Sequence, residues 1–217
     1  MTGVAALLLC AGKSSRMEGE NKLLMRFDSE SVLSRTAGQV TRAQFLEIVA
    51  VTGHDRLKIE SEIKPYAERI RPIHNDSFDV GMHSSIRKGL EALETKAEFF
   101  AVCLADQPLL TVRDYDHLIR AASLMLEVQP STLLISPRYS GVRGTPTLIS
   151  MKLREEILAH EDSDRGCHYL FERYPDEVAF VDMPFAASPL DVDTREMLER
   201  ARSAAQASPP SLLEVYL

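Results

Sequence analysis

Val4-Ala-Ala-Leu-Leu-Leu-Cys-Ala-Gly-Lys-Ser-Ser-Arg-Met-Glu-Gly-Glu-Asn-Lys-Leu-Leu24 is the stretch on which the reading of the whole chain turns. The apolar run Val4 to Cys10 has the length of a buried strand. It breaks at Ala11-Gly12, where side-chain bulk disappears and glycine opens backbone angles closed to other residues. Lys13-Ser14-Ser15-Arg16 follows, and then Lys22 before a second apolar patch. Unobstructed amides, hydroxyls and three cations after a strand are what a triphosphate needs. A phosphate-binding loop of the Gly-x4-Gly-Lys-Ser type is excluded, because the position five residues before Gly12 is Leu7.

Working outward, strand-like runs alternate with amphipathic stretches across the 217 residues, which predicts an α/β fold with a mostly parallel central sheet. Strands are expected at Val4 to Cys10, Leu46 to Thr52, Ile70 to His74, Phe99 to Leu104, Thr132 to Ser136, Thr147 to Ile149, Val178 to Val181 and Leu190 to Val192. Helices are expected at Ser31 to Arg42, Arg56 to Ala67 despite Pro65, Met82 to Glu94, Val112 to Glu127, Lys152 to Ala159 and Gly166 to Arg173. A last helix, Thr194 to Ala207, carries Thr194 as N-cap. Residues 1–207 read as one domain and 208–217 as a tail. That apolar tail is expected to pack on the core, with a second subunit as the other possibility.

Hydrophobic residues make up 45% of the chain, enough for a sizeable core. The formal net charge of -7 argues against a nucleic-acid or anionic-membrane surface. No apolar run has the length of a transmembrane helix, and the first eleven residues lack a charged leader region, so a cytoplasmic protein is expected. Cys10, Cys103 and Cys167 are odd in number and far apart, which favours free buried thiols over disulfides or a metal site. The six histidines show no metal spacing; His83 and His168 stand out only because they lie inside candidate site segments.

Further segments carry chemistry. Leu104-Ala105-Asp106-Gln107-Pro108 ends a buried strand in a carboxylate, at the strand end where open α/β sheets bind ligands. Pro189-Leu-Asp-Val-Asp-Thr-Arg-Glu-Met-Leu198 places Asp191 and Asp193 on what reads as a strand, pointing the same way. Asn75-Asp-Ser-Phe-Asp-Val-Gly-Met-His-Ser-Ser85 sets Gly81 and two hydroxyls at a helix N-terminus, where a base or ribose can be contacted.

With Leu9, Ala11, Gly12, Ser14, Ser15, Arg16, Met17, Gly19 and Lys22 in place, the opening stretch resembles the start of the MobA-like nucleotidyltransferases. Cys10 replaces the usual alanine and Glu18 is an extra residue. The Asp106-Gln107-Pro108 and Asp191-Val192-Asp193-Thr194 segments are similar to the family's later motifs, in the same order. The resemblance implies a Rossmann-like three-layer α/β/α nucleotidyltransferase, in which an acceptor phosphate attacks a nucleoside triphosphate and pyrophosphate leaves. It puts Arg16 and Lys22 on the phosphates and a magnesium ion on Asp106 and Asp193. The nucleotide-binding set it implies is Leu9, Cys10, Ala11, Gly12, Ser14, Ser15, Asn75, Gly81, Ser84 and Ser85, extended by Gly144 and Asp164 in segments that face the acceptor.

Those acceptor segments are where the chain departs from the family. Thr145 stands where a histidine is usual, and Cys167 where an alanine is usual. Ala11 before Gly12, and the Asp106-Gln107-Pro108 segment, are closest to the branch that uses CTP, the molybdenum cofactor cytidylyltransferases, rather than the Gly-Gly branch that uses GTP. The partners this implies are CTP (or GTP), a phosphorylated acceptor such as molybdopterin, and a molybdenum enzyme as client. The alternative is a guanylyltransferase or another sugar- or alcohol-phosphate nucleotidyltransferase of the same family, or a non-catalytic nucleotide-binding partner of a molybdenum enzyme.

Overall fold

The computed structural model describes residues 2–14, 17, 19–183 and 190–207. Strand β1, Val4–Cys10, runs through the middle of an eight-stranded sheet. On one side it pairs in parallel with β4, Ile48–Thr52, which pairs in parallel with β5, Ile70–His74. On the other side it pairs in parallel with β6, Phe99–Leu104. Beyond β6 lie β9, Thr147–Ser150, then β7, Leu134–Tyr139, and β10, Val178–Asp182. The sheet is parallel except that β9 runs against both its neighbours and β8, Val142–Arg143, folds back on β7. A separate small ribbon joins β2, Arg26–Phe27, to β3, Glu30–Ser31.

Alternation along β1 assigns its side chains to two layers. Ala6, Leu8 and Cys10 face one core cluster, with α1 (Val32–Arg42), α2 (Arg56–Ile63), α4 (Val112–Val128) and α7 (Arg195–Ala207) packed over it. Ala5 and Leu7 face the other, covered by α3 (Met82–Ala92), α5 (Arg154–Ala159) and α6 (Tyr169–Arg173). This is the expected three-layer α/β/α arrangement, and it explains why the central strands read as continuous apolar runs. The three cysteines are free and buried. No helix among the described residues is long and apolar enough to cross a membrane.

Helix starts follow their side chains. The Ser31 hydroxyl accepts from the Ser34 N–H at 3.0 Å and starts α1. Thr111 and Asp114 form a reciprocal capping box on α4. Thr194 Oγ1 accepts from the Met197 N–H at 3.2 Å, so Thr194 caps α7 as its sequence predicts.

Several elements differ from expectation. Helix α2 stops at Ile63 and tightens into a 3-10 turn, Lys64–Tyr66, because Pro65 has no N–H to continue the ladder. Strand β7 begins later than Thr132 and runs through Pro137, which lies between the pairings with β9 and β8, where a missing donor is tolerated. Helical turns precede α5 and α6, so both helices are shorter than their segments suggest. Leu190 to Val192 forms no strand. Both edges of β6 are already taken, by β1 and β9, so the segment reaches it only past its end, where the Val192 N–H donates to the Asp106 carbonyl at 2.9 Å.

Phe100 lies fully buried between β1, β9 and the α3 layer. Phe100→Ala should lower stability by about 3–5 kcal/mol, read as a fall in the urea midpoint at unchanged slope.

Candidate active site

The chain leaves β1 for strands on one side and leaves β6 for strands on the other, so the order reverses between these two neighbours. A crevice at the carboxyl ends of two such strands is where open α/β sheets bind ligands. Leu9 pairs with Leu104, and the Ala105 N–H donates to the Leu9 carbonyl at 3.3 Å. That register brings Ala11-Gly12 level with Asp106.

The loop after β1 is tied down by residues that its own motif does not contain. Asn21, buried, accepts from the Leu23 N–H at 3.1 Å and donates to Asp55 at 3.2 Å. Asp55 adopts a left-handed conformation at the start of α2. The Lys22 N–H donates to Ser14 Oγ at 3.1 Å. Among the described residues of this loop, positive φ falls on Ser14, at 53°, and on Gly19, rather than on Gly12. A Cβ on Gly12 would meet nothing within 4 Å among the described residues. Gly53, at the end of β4, is tighter: a Cβ there would lie 2.8 Å from Ala11 Cβ and 2.6 Å from Phe78 Cβ. Nothing in the sequence singled out Asn21, Gly53 or Asp55, because their partners are distant in the chain. Ser15 and Arg16 lie outside the described residues.

Lys22 is the meeting point. Its ammonium donates to Asp193 Oδ1 at 2.7 Å and to Asp106 Oδ2. Burial, the largest single influence, draws its pKa down. The charge of Asp106 and the bonds to Asp106 and Asp193 outweigh burial and hold the pKa above the usual lysine value. Asp191 does not follow Asp193 to the lysine; it accepts from Gln107 Nε2 at 2.7 Å. Burial raises the Asp191 carboxyl, the Gln107 bond lowers it, and the charges of Asp106 and Asp193 raise it, with a net rise. The expectation that both carboxylates project from one strand is corrected: in an irregular segment they take different partners.

The donor set suits a hard divalent cation. Asp106 Oδ1 is buried with no hydrogen-bond partner among the described residues. Asp106 and Asp193 would offer such a cation oxygen ligands, leaving the rest of its shell to phosphates and water. No group of three His, Cys, Asp or Glu among the described residues forms a cage of its own.

The second loop packs beside this crevice. Asn75 Nδ2 donates to Ser84 Oγ at 3.0 Å and Ser85 Oγ at 3.1 Å, and Ser84 Oγ donates to the Gly81 carbonyl at 2.8 Å. These buried groups shape the loop from within. Gly81 has φ 140°, and a Cβ on it would lie 2.6 Å from the Ser163 carbonyl carbon. The 160–166 segment, which holds exposed Asp164, is thereby pressed against the loop. His83, fully buried, reinforces the contact: its N–H donates to the Ser163 carbonyl at 2.9 Å, and Nδ1 lies 3.2 Å from Asp162 Oδ1, which also pairs with Arg87. The segments expected to face the acceptor are linked to the metal side through Gln107, whose Nε2 donates to Thr145 Oγ1 as well as to Asp191. Gly144 supports this corner, its N–H donating to the Pro137 carbonyl at 2.9 Å. Cys167 is buried in the core and His168 lies outside it, beside Arg143.

Fold and site together define a nucleotidyltransferase-type α/β protein, and residues 6–178 match the MobA-like NTP transferase domain. The chain belongs to that family. It is 27% identical over 121 residues to the probable molybdenum cofactor guanylyltransferase of Methanosarcina acetivorans, a match covering 55% of this chain and 53% of that protein. The chain thus spans about half the length of that curated relative. Its fold is similar to that of Rv0371c from Mycobacterium tuberculosis, solved in complex with manganese (TM-score 0.71, 22% identity, 94% of this chain and 100% of the other). It is also similar to that of 4-diphosphocytidyl-2C-methyl-D-erythritol synthase from Anaerococcus prevotii (TM-score 0.70, 19% identity, 94% and 96%).

Burial, the leading cause, holds the His83 pKa below its ordinary 6.5 against the pull of Asp162. The unfolded chain therefore binds more protons here than the folded one, and stability falls as pH drops through about 6.5. His83→Gln should flatten the fall in melting temperature between about pH 7.5 and 5.5 relative to the wild type, measured by circular dichroism.

Proposed function

We propose that this protein transfers CMP from CTP to a phosphorylated acceptor of the molybdopterin kind and releases pyrophosphate. The observation that carries the reading is the convergence of Lys22, Asp106 and Asp193 at the reversal point of the sheet, beside the open Gly12 loop. An acceptor phosphate oxygen attacks the α-phosphorus, and the bond to the β-phosphate oxygen breaks. The acceptor arrives already ionised, so no side chain needs to take its proton. The protein's work is to hold two anions together and neutralise them.

Each residue has a part in that work. The loop from Gly12 to Ser14 offers amides to the β- and γ-phosphates, with Lys22 and Arg16 as counter-charges. A magnesium ion held by Asp106 and Asp193 would supply Lewis-acid neutralisation of the triphosphate. The Asn75–Gly81–Ser84–Ser85 loop is assigned to base and ribose. Gly144, Thr145 and Asp164 are assigned to the acceptor side. Ala11, where the GTP branch has glycine, favours cytosine. A molybdenum enzyme would be the client for the product, and the cytoplasm the setting.

A guanylyltransferase is the second reading, favoured by the name of the Methanosarcina relative. Isothermal titration with CTP and with GTP, each with magnesium, separates the two. Tighter binding of CTP by about tenfold or more is expected, a difference of about 1.4 kcal/mol; a clear preference for GTP reverses the assignment. Asp106→Ala should abolish pyrophosphate release from CTP and molybdopterin while circular dichroism stays unchanged. Nucleotide binding by the wild type without turnover on any pterin acceptor would instead favour a binding-only partner of a molybdenum enzyme.

A further inference from the structure

Lys22 is wanted in two places that one ammonium cannot occupy together. The resemblance puts it on the triphosphate. In the structure it is bonded to both carboxylates assigned to the metal. The cluster is well shielded, with side-chain exposures of 17% for Lys22, 14% for Asp106 and 25% for Asp193. In such surroundings two carboxylates repel each other strongly unless a cation lies between them. An ammonium serves one oxygen of each and leaves Asp106 Oδ1 buried without a partner among the described residues. A divalent cation seeking both carboxylates needs the position that the ammonium now holds.

The main chain at Lys22 is fastened while its side chain is long. The Lys22 N–H is held by Ser14 Oγ, and the neighbouring Asn21 is tied to Asp55. Movement is therefore left to the four-carbon stem, which carries a compact point charge on rotatable bonds. The Ser14 loop, with open space at Gly12, begins beside that same anchored residue. A phosphate chain bound there offers the ammonium a second set of oxygens.

We propose that Lys22 is the resident counter-cation of the metal site, closing the Asp106–Asp193 pair in the metal-free protein and passing to the triphosphate when a divalent cation takes the carboxylates. This rests on the reading of Asp106 and Asp193 as metal ligands. Metal alone must displace the lysine, so its apparent affinity is lowered by the fraction of molecules in which the carboxylates are free. A triphosphate that accepts the lysine removes that cost. Nucleotide and metal then favour each other's binding, by the same factor in each direction.

The test uses Mn2+ alone, without nucleotide, titrated into the full chain while free Mn2+ is followed by electron paramagnetic resonance. The wild type is compared with Lys22→Met, Lys22→Gln and the double variant Lys22→Met with Asp106→Asn. Met removes the charge; Gln also removes it but keeps a donor for the carboxylates, should Met unsettle the fold. Both neutral variants should bind Mn2+ about tenfold or more tightly than the wild type, and the double variant should lose the gain. Equal or weaker binding in both neutral variants, still dependent on Asp106, overturns the counter-cation role alone. Binding that is absent from them, or that survives Asp106→Asn, overturns the metal-ligand assignment on which the proposal rests.

Discussion

The contact of one ammonium with two carboxylates is what the rest of the site depends on. Lys22 comes from the loop after β1, Asp106 from the end of β6, and Asp193 from the approach to α7. Three parts of the chain that share no element meet at one point. Each charge would be costly in so shielded a place without the others. The pairing therefore holds the N-terminal loop, the central strand end and the last helix in mutual register, and it does so at the place where charge chemistry is expected.

The sheet makes that meeting possible. Parallel pairing of β1 with β6 in the register Leu9 to Leu104 puts both strand ends on the same edge. The antiparallel β9 then takes the far edge of β6. The late segment 190–193 finds both edges of β6 taken and crosses its carboxyl end instead, where its backbone meets Asp106. The topology thus converts a missing edge into a third wall of the crevice.

The side of the crevice around Thr145 and Ser163 is built differently. Its parts are joined by a chain of side-chain contacts, from Asp191 through Gln107 to Thr145, and by the stack of Gly81 and His83 on Ser163 and Asp162. Thr145, which departs from the family pattern, is bonded into this chain rather than left idle. The Gln107 Oε1 atom beside it is buried without a partner among the described residues. The Asp191 and Thr145 segments therefore share one polar seam, and a change at Thr145 reaches Asp191 through a single side chain.

Local sequence was enough to read the main strands and helices, and with the motifs the family resemblance that implied three layers, because strand period, helix caps and the Ala11-Gly12 break are written in neighbouring residues. Thr194 as a cap and Phe99 to Leu104 as a central strand are of this kind. Short-range reading failed where long-range pairing had already taken both edges of β6, as at Leu190 to Val192, or where Pro65 had no donor to give. Of the residues that brace the site, Asn21, Gly53 and Asp55 carry no signal of their own and His83 stood out only for lying inside a candidate segment, since contacts such as Asn21 to Asp55, Gly53 to Ala11 and His83 to Asp162 join residues distant in the chain. The sequence by itself determined which charges the protein has and which strands would bury themselves. Only the tertiary structure decided that Lys22 rests on carboxylates and that Asp191 turns to Gln107, because those choices depend on which groups the folded sheet brings within hydrogen-bonding distance.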